Sequence, residues 1–301
     1  MFDELFDEEF EFELKKEEKK EEKEKKEEIE ERSTPLMTLP SNDEVVKDHV
    51  QYESMNENEE ILPYQREMLQ VIDEFEEKSW SDQNVGISTG WKEFDEGFNG
   101  GIKTGWIIVA GESNIGKTAF LSNLAWKTAT SNQDVYVLDF SLDDPMPDKL
   151  SRVVACGSKI PINAVRTPKH YVQYPQLIER RKQGLEKLKQ MVHRYRCFDA
   201  THSTDIDDIE ATIQKTLVDL EEESLVTGKP KKRLIVFIDN FHDLTTTAKY
   251  AMGSDKQKYD YLAQRVSDMA TKYDIPVVTT AELKKINGFR RASLDDIREL
   301  I

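Results

Sequence analysis

Trp106-Ile107-Ile108-Val109-Ala110-Gly111-Glu112-Ser113-Asn114-Ile115-Gly116-Lys117-Thr118 passes from an apolar run of strand length into a complete G-x-x-x-x-G-K-[ST] pattern. In such a loop the glycines let the backbone wrap closely, so that its N–H groups point at the phosphates of a nucleotide. Gly111, Glu112, Ser113, Asn114, Ile115, Gly116, Lys117, Thr118 and Ala119 are therefore the candidate nucleotide-binding residues. The Lys117 ammonium is suited to the β- and γ-phosphates, and the Thr118 hydroxyl can ligate Mg²⁺. Ala119 to Ala129 reads as a helix whose N-terminus would face the phosphates.

Outward from the loop, strand and helix patterns alternate from Ile87 onward, the signature of an α/β fold with a mostly parallel central sheet and helices on both faces. Strands are expected at Val135 to Ser141, Arg196 to Ala200, Leu234 to Asp239 and Pro276 to Thr280. Helices are expected at Asp148 to Cys156 and Tyr261 to Tyr273. Another should place Leu177, Leu185, Leu188 and Val192 on one face, and a fourth should be capped by Ser203 or Thr204. Asp239 ends an apolar strand, where a carboxylate can hold Mg²⁺ beside a phosphate loop. Asp143, just past the second strand, is the candidate for orienting an attacking water; Asp243 is close enough to Asp239 in sequence to assist the metal, but reads more as a solvated turn residue. Glu282 ends the last strand, where a polar residue can sense the γ-phosphate. Lys284, Lys285, Arg290, Arg291 and Arg298 follow, with Asn287-Gly288 as a turn, and could contact a nucleic-acid backbone.

The net charge of −17 is unevenly spread over the 301 residues. Residues 1–60 hold 23 acids against nine lysines and arginines, so the acidity belongs to a tail and the remainder is near neutral. A low overall pI is then no argument against nucleic-acid binding. Residues 15–32 are almost pure Glu and Lys and cannot bury a core, which predicts a solvated helix or disorder. Ahead of them Phe2, Leu5, Phe6, Phe10, Phe12 and Leu14 alternate with acids, either a docking motif for a partner protein or a tail without one. Residues 33–60 read as a linker. Tyr64, Met68, Val71, Ile72 and Phe75 fall at helical spacing and place one apolar stripe on a linker helix over residues 61–80. Cys156 and Cys197 lack metal or redox spacing and read as reduced, buried thiols. Neither a signal segment nor an 18-residue apolar run is present, which points to a soluble, cytoplasmic protein without a membrane partner.

Taken in order, the motifs resemble the RecA-like ATPase domain of replicative DNA helicases of the DnaB type. Gly86-Ile87-Ser88-Thr89-Gly90-Trp91 with Phe94-Asp95 and Gly100-Gly101 resembles that family's entry motif, and Gly116 to Phe120 with Asn123 and Ala125 its phosphate loop and first helix. Phe140-Ser141-Leu142-Asp143 is similar to its Phe-Ser-Leu-Glu, and Asp239-Asn240-Phe241-His242 to its Asp-Tyr-Leu-Gln. Ala281 to Lys285 resembles its Ser-Gln-Leu-x-Arg, and Leu294 to Glu299 its Leu-Ser-Asp-Leu-Arg-Glu. The resemblance covers residues 62–301. It implies a homo-oligomeric ring, usually a hexamer, that uses Mg-ATP to move on single-stranded DNA in replication, in a bacterial host or phage-infected cell. It further implies that the 61–80 helix packs on a neighbouring subunit and that Lys285 and Arg298 lie in or near the DNA-facing loops. Lys117, Asp143 and Glu282 become the catalytic candidates, with Thr118 and Asp239 as metal ligands. The pattern also departs from the family: the acidic tail stands in place of its helical N-terminal domain, Asp143 in place of its glutamate and Glu282 in place of its glutamine. The chain ends at Ile301, before the segment expected to carry the arginine fingers. These departures leave open a nucleotide-binding adaptor or helicase loader with little hydrolysis, or the N-terminal piece of a split helicase.

Overall fold

The computed structural model describes residues 63–80, 85–249, 253–284 and 297. The acidic 1–60 tail, Lys285, Arg290, Arg291 and Arg298 lie outside the described residues, as does the side chain of Tyr64. Contacts divide the chain into two units, Met1–Leu69 and Gln70–Ile301. The boundary falls inside helix α1 (Pro63–Trp80). Met68, Leu69, Val71, Ile72 and Phe75 on this helix are exposed, so the apolar stripe expected from the spacing faces solvent in the isolated chain.

Five parallel strands are described: β1 (Gly105–Gly111), β2 (Val135–Ser141), β3 (Tyr195–Asp199), β4 (Arg233–Asp239) and β5 (Pro276–Glu282). They lie in the order β1-β5-β4-β2-β3, all pairs parallel. Strands covered on both faces need apolar residues at every position, and β4 meets this demand with Leu234 to Ile238. Its alternate side chains divide between two cores. Leu234, Val236 and Ile238 face helices α7 (Ile206–Thr227) and α8 (Asp255–Lys272). Ile235 and Phe237 face α3 (Lys117–Ser131), α4 (Met146–Ser158) and α6 (Pro175–Met191). Each fully buried Ile or Phe on these faces contributes about 1.5–3 kcal/mol relative to exposure. Within the described sheet β1 is an edge strand and only half-buried, although its sequence reads as a buried one.

Register decides which residues meet at the carboxyl ends of the strands. Gly111 pairs with Glu282 across β1 and β5, and Ser141 with Asp239 across β2 and β4. The phosphate loop, Asp239, Glu282 and the residues after Ser141 are thus gathered along one edge of the sheet, where ligands bind in open parallel sheets. The entry motif serves as a clasp beneath them. Ile87 and Ile102 form an antiparallel bridge, and the Asp95 carboxylate accepts from Ser88 Oγ (2.6 Å), Thr89 Oγ1 (2.6 Å) and Thr89 N–H (2.7 Å). A Cβ on Gly86 would come within 2.4 Å of the Gly101 backbone, so that crossing needs glycine.

Several local readings are corrected by packing. Helix α7 is capped by Asp205, whose side chain accepts from Asp207 N–H at 2.9 Å, whereas Ser203 bonds the Asp208 carboxylate instead. Val192 does not join the apolar face of α6, because the helix ends at Met191; Met191 is buried and Val192 exposed. The two cysteines are free, as expected, but half-buried rather than buried. Burial pushes the Cys197 thiol up to about 12, which leaves it unreactive. The remaining elements are α2 (Lys92–Gly97), α5 (Ile162–Arg166) and the short turns Pro168–Tyr171 and Phe241–Asp243.

Candidate nucleotide and metal site

The loop between β1 and α3 has the shape its residues demand. Gly116, immediately before α3, has φ 101°, a conformation side chains resist, and Asn114 has φ 63°. A Cβ on Gly111 would approach Cγ2 of the exposed Ile115 side chain to 2.9 Å. Residues Glu112 to Gly116 are exposed, and the 15-residue helix α3 starts directly behind them with its positive end toward the loop.

Lys117 Nζ donates to the backbone carbonyls of Gly111 (3.1 Å) and Glu112 (2.9 Å). It also lies 3.9 Å from Glu282 Oε1, and that oxygen accepts from Ser113 Oγ at 2.8 Å. The Gly111 carbonyl is shared, because Leu283 N–H donates to it at 3.1 Å. Loop and β5 are therefore joined at backbone and side-chain level.

Asp239 is buried at the end of β4 and hydrogen-bonded by Thr280 Oγ1. Burial raises its carboxyl above the usual range, although the Thr280 hydrogen bond, the Lys149 charge and the Thr118 hydroxyl pull it down. Thr118 in the first turn of α3 and Asp239 at the end of β4 bring two hard oxygen donors to the mouth of the loop. Mg²⁺ takes one or two protein oxygens and fills its octahedron with water and phosphate, so this pair fits that ion. Among the described residues no group of three or more His, Cys, Asp or Glu is placed to cage a metal.

Behind Asp239 lies an arrangement that the sequence reading missed. Lys149 is fully buried, 2.8 Å from Asp139 Oδ1 and 3.1 Å from Ser122 Oγ, and Tyr195 OH donates to Asp139 Oδ2 at 2.6 Å. Burial alone would lower the lysine pKa, but the Asp139 charge and hydrogen bond hold it above its ordinary value. The signal was an acid inside the apolar Val137-Leu138-Asp139-Phe140 and a lysine four residues before buried Val153. Each needs a partner once the elements pack.

Asp143 is exposed just past β2, where Leu142 N–H donates to Asp239 O at 2.6 Å. Asp243 is not a solvated turn residue. It is half-buried and accepts from Asn240 Nδ2 at 2.7 Å. Burial raises its pKa first, and the Asp143 charge raises it further. His242 stands beside it, its Nδ1 accepting from Glu282 N–H at 3.4 Å. Of the five expected DNA contacts only Lys284 is described, exposed and two residues past the end of β5. Leu283 forms an antiparallel bridge to Ile297.

A strand, a glycine loop ending in Lys-Thr and a helix, set beside a strand ending in a carboxylate, define the P-loop class of parallel α/β folds. Residues 86–300 match the family model described as the DnaB-like helicase C terminal domain, and the chain belongs to that family. A curated relative, "Replicative DNA helicase DnaB" of Geobacillus stearothermophilus, is 24% identical over 237 residues, which are 77% of this chain and 48% of the relative. The chain spans about half the length of the curated relative it matches. Among solved structures, "ATPase Domain of G40P" aligns with TM-score 0.62 and 20% identity, over 78% of this chain and 77% of that one. "The Structure Of A DnaB-Like Replicative Helicase And Its Interactions With Primase" aligns with TM-score 0.61 and 20% identity, over 78% and 52%. These likenesses identify the fold as RecA-like.

Proposed function

We propose that this chain is the ATPase module of a DnaB-type replicative helicase, which binds Mg-ATP and single-stranded DNA and works as a ring in the cytoplasm. The observation that carries this reading is the complete phosphate loop ahead of α3, with the buried Asp239 carboxylate ending β4, within the stretch that matches the family. In this reading Lys117 and the loop amides hold the phosphates, and Thr118 and Asp239 hold Mg²⁺. The bound ion would supply charge neutralisation on the phosphates. Asp143 orients the attacking water. Lys284, with Lys285, Arg290, Arg291 and Arg298, contacts the DNA backbone. The exposed stripe of α1 covers a neighbouring copy. The acidic, aromatic tail meets a replication partner.

A second reading is supported by Glu282. Its carboxylate is engaged with Ser113 and Lys117, which suits a nucleotide-binding adaptor or loader that hydrolyses little. ATP turnover by the full chain, at a known oligomeric size and with and without single-stranded DNA, separates the two. The helicase reading expects turnover to rise at least about tenfold with DNA, as coupling free energies of 1–3 kcal/mol produce. A slow rate indifferent to DNA would overturn it in favour of the adaptor.

A further inference from the structure

Glu282 lies where an anion is expected to come from the ligand. Its Oε1 accepts from Ser113 Oγ within the phosphate loop and lies 3.9 Å from the ammonium of Lys117. Those partners, a loop hydroxyl and the loop lysine, are the ones a terminal phosphate would use. Glu282 is held there from behind. It pairs with Gly111 in the sheet, its own N–H donates to His242 Nδ1, and Leu283 N–H donates to the Gly111 carbonyl. These bonds fix the backbone at Glu282, and Ser113 and Lys117 position its carboxylate. Asp239 ends the neighbouring strand β4, and Asp243 lies in the short turn just beyond it.

We propose that Glu282 is a specificity-determining residue that makes this site prefer a nucleoside diphosphate to a nucleoside triphosphate. The proposal deepens the nucleotide-binding reading above and rests on it. The physical argument is the unequal cost of the two ligands. Both need the loop amides and Lys117 for the β-phosphate. Only the triphosphate brings a further dianionic group toward Ser113 and Lys117, where it competes with the Glu282 carboxylate and is repelled by it. Two unit charges about 4 Å apart near a protein surface interact by several RT, which is enough to set a preference of tenfold or more. The carboxylate would thus be displaced as a triphosphate binds.

The test is a calorimetric titration of the full chain with Mg-ADP and with a Mg-bound β,γ-imido triphosphate analogue, repeated on Glu282→Gln and Glu282→Ala. Wild type should bind the diphosphate at least about tenfold more tightly. Glu282→Gln keeps the shape and the Ser113 hydrogen bond but loses the charge. It should tighten the triphosphate analogue about tenfold or more and change the diphosphate by less than about twofold. Glu282→Ala should show the same asymmetry, and its agreement with Gln guards against a folding artefact. Equal shifts for both nucleotides, no shift, or tightening in Ala alone would overturn the role of the charge while leaving the nucleotide site standing. Failure of wild type to bind either nucleotide would overturn the site reading itself and the proposal with it.

Discussion

Lys149 and Asp139 are the residues that most constrain the neighbourhood of the site. Both are fully buried, and the pair ties α4 to β2 beneath the phosphate helix through Ser122. Removing one member of a buried pair strands the other charge, at a cost of about 3–5 kcal/mol, whereas replacing both with apolar residues is often neutral or better. Lys149→Ala should therefore lower the unfolding free energy by about 3–5 kcal/mol in urea. Asp139→Leu with Lys149→Met should recover that loss except for about 1–3 kcal/mol from the Tyr195 hydroxyl left without its acceptor. A loss of less than about 0.5 kcal/mol in the single variant would mean that water reaches the pair. Sequence reading could locate this site only in part. Lys117, Thr118 and Asp239 announce themselves through spacing and position at a strand end. The Ser113 contact to Glu282 joins residues 169 apart in the chain, and Thr280 on Asp239 spans 41, so both depend on strand register.

At the scale of elements, the strands and most helices were legible, because a sheet buried on both faces demands unbroken apolar runs and its helices demand one apolar side. Helix ends were less so. Asp205 caps α7 although Ser203 and Thr204 precede it, since the chain is fixed there by Thr245 N–H donating to Thr204 O. The junction between α7 and α8 is likewise set by long-range pairing. Glu210 accepts from Lys272 Nζ (3.0 Å), Tyr273 OH (2.6 Å) and Arg265, and Arg265 also reaches Asp207 (2.6 Å). Burial would raise the Glu210 carboxyl, but those donors bring it to about 2 from an ordinary 4.5. A depressed acid stabilises the fold fully above its unfolded pKa and loses that contribution as pH falls toward its folded pKa. Glu210→Gln should thus be less stable than wild type at pH 7, with the gap closing as pH falls from 4.5 toward 2. Urea midpoints measured across that range would check this; a gap independent of pH would remove the electrostatic account.

For the molecule as a whole, one sheet edge carries the candidate chemistry. β1 ends in the phosphate loop, β4 in Asp239, β5 in Glu282 and the basic stretch, and β2 leads to Asp143. Two cores on opposite faces hold those ends in register. Membership of the DnaB-like family fixes this layout, and the side chains at the edge set how the site is used. The most direct measurement is a calorimetric titration of Mg-nucleotide into the full chain beside its Lys117→Ala variant. One saturable site per chain is expected for wild type. Lys117→Ala should weaken it at least about a hundredfold, equivalent to about 2.7 kcal/mol. Undiminished affinity in Lys117→Ala, with the variant folded, would contradict the assignment of Gly111 to Thr118 as the nucleotide site.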